Sequence, residues 1–197
     1  MTEISKARVA ILATDGYERS ELRDPLEKLR AAGARVDVVS PESGEIRSWA
    51  DGDWGDSVPV DRALAEASAG DYDALVLPGG QINPDKLRTE PAAVQMVKDF
   101  ADAGKPIGAI CHGPWMLVEA GVVEGREVTS YSSIRTDLVN AGARWFDEEV
   151  IVDNGLVTSR NPDDLPAFIA KLIEEIKEGR HVARDNPRGH AVLTAGH

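Results

Sequence analysis

The chain has 197 residues, 42% of them hydrophobic, and a formal net charge of −12. That length and apolar content suit one folded domain with a sizeable core and argue against intrinsic disorder. The acidic balance argues against nucleic acid or an anionic membrane as partner, since both favour basic patches.

The opening, Met1 to Lys6, is polar and lacks the apolar stretch of a signal peptide, and no apolar run is long enough to span a membrane. Arg8 to Ala13 reads as a buried first strand, and Glu21 to Ala32 as a helix with Leu22, Leu26 and Leu29 on one face and Gly33 as its stop. Arg35 to Ser40 is a second strand. Glu42 to Pro59, with two tryptophans and several Asp, is expected as an edge hairpin or excursion. Ala74 to Leu77 is a third strand, closed by Pro78-Gly79-Gly80. Pro91 to Ala103 is a helix ended by Gly104. Ile107 to Ile110 is a fourth core strand, followed by a turn and a helix-like stretch, Trp115 to Ala120. Glu127 to Ser130, Glu149 to Val152 and Leu156 to Ser159 read as short strands near the other edge. Pro162 to Lys177 is a final helix with Leu165, Phe168, Ile169, Leu172 and Ile176 as its apolar stripe. Residues 1–178 are thus expected as one domain, with 179–197 as a polar C-terminal extension.

Continuous apolar strands alternating with helices imply an α/β fold, a mainly parallel sheet with helices on both faces. Ligands of such sheets bind beyond the carboxyl ends of the strands. Three strand ends carry unusual loops: Thr14 to Glu18, Pro78 to Asp85, and Cys111 to Pro114.

The last of these holds the only cysteine, which permits no intrachain disulfide and points to a cytoplasmic protein with a free thiol. Lone cysteines are usually small buried hydrophobes. A cysteine between a strand end and a helix start, in Ala109-Ile110-Cys111-His112-Gly113-Pro114, instead has amides nearby that can stabilise a thiolate or an oxyanion. His112 reads either as a general base or as a surface turn residue, and its backbone amide is expected to matter more than its ring. Glu18 reads as a solvated loop carboxylate or, if buried beside the thiol, as a protonated hydrogen-bond donor to it. Gly79-Gly80 would let amides approach a ligand. Asp85, after Pro84, suits a helix start. No phosphate-binding glycine motif and no metal-ligand spacing is present, and His181, His190 and His197 are expected as solvated tail residues.

Several segments, in order, resemble those of the ThiJ/PfpI superfamily. They are Asp15-Gly16-Tyr17-Glu18, Asp73 to Gly80, Ala109 to Pro114, Thr129 to Ile134, Asp137 to Ala143 and Thr158 to Leu165. The Cys-His-Gly-Pro form and Trp115 resemble the PfpI-like intracellular peptidase and deglycase branch. The resemblance implies a flavodoxin-like three-layer sandwich, similar to class I glutamine amidotransferases, and a homodimer that sometimes assembles further. It implies Cys111 as nucleophile, Glu18 as its protonated partner, and the Gly80 and His112 amides as oxyanion donors. It places Asp85 where the branch has an acidic residue from a neighbouring subunit facing His112, with Asp for Glu and one residue inserted, and Ser132 where the branch often has proline. The function implied is a cysteine-dependent stress-response enzyme acting on small reactive carbonyls without cofactor or metal. The alternatives are an intracellular cysteine peptidase, and an oxidative-stress sensor working through oxidation of Cys111.

Overall fold

A strand buried along its whole length needs cover on both faces. In the computed structural model, which describes residues 3–182, the strands and α-helices are β1 (Arg8–Leu12), β2 (Tyr17–Glu18), α1 (Arg19–Ala31), β3 (Arg35–Ser40), β4 (Glu45–Ala50), β5 (Asp53–Pro59), β6 (Arg62–Ala63), β7 (Ala74–Leu77), α2 (Ile82–Leu87), α3 (Pro91–Asp102), β8 (Ile107–Ile110), α4 (Trp115–Glu119), β9 (Glu127–Val128), α5 (Arg135–Asn140), β10 (Arg144–Trp145), β11 (Val150–Asp153), β12 (Leu156–Ser159) and α6 (Leu165–Glu178). Strands β7, β8 and β12 are buried at every residue.

Seven strands form one sheet in the order β11-β12-β8-β7-β1-β3-β6. All its pairings are parallel except that of β11 with β12. Because strand side chains alternate in direction, the two faces feed two cores. Ala10, Leu12, Leu75, Leu77 and Ala109 pack with Met96, Val97, Phe100 and Leu117 of α3 and α4. Val9, Ile11, Val76 and Val157 pack with Leu22 and Leu29 of α1 and with Phe168, Leu172 and Ile176 of α6. This is the three-layer α/β sandwich expected from the sequence.

The apolar stripe of α6 shows how closely the layers meet. Gly108 of β8 leaves no room for a side chain, since a Cβ there would lie 2.9 Å from Phe168 Cζ. Phe168 is fully buried. Phe168→Ala is expected to cost about 3–5 kcal/mol through lost burial and the cavity left behind, measured as a lower urea midpoint at unchanged slope.

The excursion at residues 42–59 is the hairpin β4–β5, paired to β2 in a separate three-stranded sheet. Its two-residue turn, Asp51-Gly52, has φ of +55° and +83°, as a twisted two-residue hairpin turn demands. One expectation needs correction. The stretch at 127–130 is strand only at Glu127–Val128, which pairs with β10 outside the main sheet. Its extension stops where the Thr129 amide donates to the Thr158 side chain instead of to a ladder. Leu156–Ser159 lies near that edge as expected, one strand in, with β11 folded back along it at the edge itself. Of the extension expected at 179–197, residues 183–197, with His190 and His197, lie outside the described residues. Among the described residues no helix is long and apolar enough to cross a membrane.

Strands β8, β7 and β1 are neighbours. The three unusual loops after them therefore meet at one end of the sheet.

Candidate active site

The thiol sits on a sharp turn. Cys111 directly follows β8 with φ of +61°, a left-handed conformation that a residue with a side chain adopts at a cost. Its amide donates to the Ser159 carbonyl at 3.0 Å and its carbonyl accepts from the Tyr131 amide at 2.9 Å. The Gly113 amide closes the turn onto the Ile110 carbonyl at 2.8 Å, and a Cβ at Gly113 would collide with the Leu77 carbonyl. Helix α4 starts only at Trp115 and spans five residues, so its dipole is small. The amides that favour charge on the sulfur are those of His112 and Gly80. These are the two amides expected as oxyanion donors.

The carboxyl beside the thiol is Glu21, in the first turn of α1. Its side chain is fully buried. Oε2 accepts the Gly79 amide at 2.8 Å, and Oε1 has no hydrogen-bond partner. The Cys111 thiol and the Gly80 amide are the other polar groups that act on this carboxyl. Gly79 is where the parts touch. A Cβ at this position would stand 2.6 Å from Glu21 Oε2, 2.7 Å from Cys111 Cβ and 2.9 Å from the His112 amide nitrogen. Burial, reinforced by the charge of Glu18, pushes the Glu21 carboxyl up to about 8. At neutral pH it therefore holds its proton. Burial also pushes the Cys111 thiol up, as does an ionised Glu21. A protonated Glu21 removes that repulsion and offers an O–H to the thiolate.

The resemblance implies Glu18 for this place, and the structure puts Glu18 elsewhere. Glu18 is the N-cap of α1, its carboxylate accepting the Glu21 amide at 2.9 Å and the Ser20 hydroxyl. A carboxylate is favoured at a helix start for that reason. The pattern did contain a signal for Glu21. It lies four residues before Pro25 and eight before Leu29, and all three are buried on one face of α1. A carboxylate heading an apolar stripe is an anomaly that burial beside a reactive group resolves.

His112 turns its ring back to the sulfur. Nδ1 lies 3.1 Å from Cys111 Sγ and Nε2 lies 3.0 Å from Ser133 Oγ. The ring stacks on Tyr131 at 4.8 Å between centroids and meets Trp115 edge-on at 5.3 Å. Of the two readings of His112, a general base or a surface turn residue, the geometry favours the first, because the turn is tight enough to bring the ring beside the sulfur. Burial lowers the pKa of His112, so the imidazole is neutral at pH 7 and can accept a proton. Asp85 is exposed on α2, and the group at His112 Nε2 is the Ser133 hydroxyl. Ser133 was not singled out from sequence. Its position depends on the Tyr131–Cys111 backbone contact, which no local pattern announces.

The DJ-1/PfpI family profile matches residues 7–175. Protein/nucleic acid deglycase 2 of Escherichia coli strain K12 is 43% identical over 162 residues, covering 82% of this chain and 92% of that protein. Deglycase PfpI of Pyrococcus furiosus is 40% identical over 170 residues, covering 86% and 99%. Among solved structures, Drosophila melanogaster DJ-1beta superposes with a TM-score of 0.80 at 28% identity, covering 87% of this chain and 91% of that one.

Proposed function

The chain belongs to the DJ-1/PfpI family, and from that premise we propose that it is a cytoplasmic, cofactor-independent stress-response enzyme that uses Cys111 to convert small reactive carbonyls, glyoxal and methylglyoxal or their early adducts, into hydroxy acids. A homodimer belongs to the same reading. The observation that carries it is the meeting of a thiol, a buried protonated carboxyl, a neutral imidazole and two amides around Gly79-Gly80.

With methylglyoxal the chemistry runs as follows. His112 Nδ1, 3.1 Å away, takes the thiol proton. Glu21 keeps its own proton and donates toward the sulfur, so the new charge is met by a dipole. The thiolate adds to the aldehyde carbon, and the oxyanion lies against the Gly80 and His112 amides. Protonation by His112 gives a hemithioacetal and restores a neutral imidazole. That base removes the proton from C1 and returns it at C2, while the C1 hydroxyl proton passes to the C2 oxygen, so the ketone becomes an alcohol and C1 a thioester carbonyl. Water then attacks the thioester, the C–S bond breaks, and lactate leaves with the thiol regenerated. The sum is methylglyoxal plus water giving lactic acid, with no external oxidant or reductant.

Ser133 orients the imidazole by its bond to Nε2. Ser133→Ala is expected to lower kcat about five- to tenfold, the worth of one hydrogen bond, with KM little changed. Ser133→Thr keeps the hydroxyl and should restore most of the rate.

The Cys111–His112–Ser133 alignment also favours a second reading, peptide hydrolysis, because a nucleophile and base oriented by a third group is what acyl transfer needs. One assay separates the two. Wild-type protein is incubated in amine-free buffer with methylglyoxal, lactate is detected directly, and a fluorogenic peptide is tested in parallel. Catalytic lactate formation supports the carbonyl reading. No lactate, with peptide cleaved, overturns it in favour of the peptidase.

A further inference from the structure

A second cluster of ligating side chains lies at the other end of the sheet. Past α6 the chain turns at Gly179, and His181 folds back onto the helix end. The His181 amide donates to the Gly104 carbonyl at 2.7 Å, and Asn154 Nδ2 donates to the Val182 carbonyl at 2.9 Å. The seat is made by two glycines. A Cβ at Gly104 would collide with the His181 carbonyl, and one at Gly155 would stand 2.7 Å from the His181 ring. His181, expected from sequence as a solvated tail residue, is 16% exposed at its side chain.

Its ring faces two glutamates of the last turn of α6. His181 Nε2 lies 2.9 Å from Glu175 Oε2, and the Glu175 side chain is only 10% exposed. Both atoms are buried, yet neither has a hydrogen-bond partner, so they converge without the alignment that would share a proton. Glu178, more exposed, brings a third donor, and the three ligating atoms lie within 4.8 Å of one another. Two carboxylates and one imidazole suit a borderline divalent ion, whereas magnesium and calcium prefer oxygen alone. Ligands about 2.0–2.2 Å from such an ion stand roughly 3 Å apart, close to the spacing that Glu175 and His181 already have.

We propose that Glu175, Glu178 and His181 form a binding site for a divalent transition-metal ion of the zinc type, with water in the remaining positions. The family match ends at residue 175, so the imidazole comes from chain beyond it. The site precedes β8 and β12, whereas Cys111 follows β8. At about 3.3 Å per residue this separates the ion from the thiol by the length of a strand. Bound there, the ion ties residues 179–182 to α6 and has no part in the carbonyl chemistry.

The test uses the untagged full chain with Cys111→Ser, which removes the thiol as a competing ligand, and titration calorimetry with zinc chloride and with magnesium chloride. One zinc per chain is expected, with no comparable magnesium binding. Adding His181→Ala or Glu178→Gln should each weaken zinc by at least about tenfold, since even the loss of outer-shell partners costs that much. Glu178 is exposed, so its variant is not expected to disturb folding, and circular dichroism checks both. No zinc binding, zinc binding unchanged in either variant, or equal binding of magnesium overturns the proposal.

Discussion

Replacing Cys111 with serine should lower lactate formation from methylglyoxal by at least about a thousandfold, with the fold intact. The bonds that hold the turn are made by the backbone of Cys111, to Ser159 and Tyr131, so serine keeps them. Serine also keeps the distance to His112 nearly unchanged. What it loses is the polarisable sulfur and its acidity. A hydroxyl is far harder to ionise than a thiol, and His112 is a weakened base because burial lowers its pKa. No group at this site can compensate. Glu21 holds a proton at neutral pH and repels an oxyanion once it loses that proton. Unchanged circular dichroism and melting with lactate at background would assign the chemistry to the sulfur. Lactate from the Cys111→Ser protein at a rate near wild type would remove Cys111 from the mechanism.

What the sequence made legible follows from how strongly each feature depends on its local neighbours. Strands β1, β7 and β8 were visible because apolar runs closed by turn residues have few other uses. The meeting of their loops followed from parallel topology alone. Cys111 was visible because Cys-His-Gly-Pro at a strand end is locally odd. Glu18 and Glu21 show where this stops. They stand three residues apart on the same first helical turn, and both suit a helix start. Which one points inward depends on the rotation of α1 against the sheet, fixed by Leu22 and Leu29 packing many residues away from the thiol. Ser133 reaches His112 through a contact between the 129–134 segment and the Cys111 turn, a long-range pairing with no periodic trace. His181 read as solvated because its partners, Gly104, Gly155 and Glu175, come from three separate parts of the chain.

The placement of Glu21 makes the stability of the fold depend on pH in a way that a single substitution should erase. The carboxyl has an ordinary pKa of 4.5 and is pushed up to about 8 by burial in the folded protein. Between those values the folded state holds a proton that the unfolded chain has lost. The unfolded state therefore binds fewer protons, and stability falls as pH rises, by up to about 1.4 kcal/mol per pH unit. His112 acts in the opposite sense. Its folded pKa is lowered, so its contribution is lost as pH falls, and a wild-type profile alone mixes the two. Burial also raises Glu175, which adds a slope of the same sign as Glu21 from a distant place. Glu21→Gln separates them, because glutamine cannot ionise while the other groups stay in both proteins. Its amide oxygen can still accept from the Gly79 amide, and its N–H can still face the sulfur. Urea unfolding at pH 5, 6.5 and 8 should show the variant gaining on wild type at each step, with little difference near pH 5. Cysteine ionisation in the unfolded chain begins only near the top of this window and is common to both proteins, so it cancels in the comparison. Parallel stability profiles for the two proteins would mean that Glu21 is already ionised when folded. The protonated carboxyl beside the sulfur would then have to be abandoned, together with the donor it supplies to the thiolate.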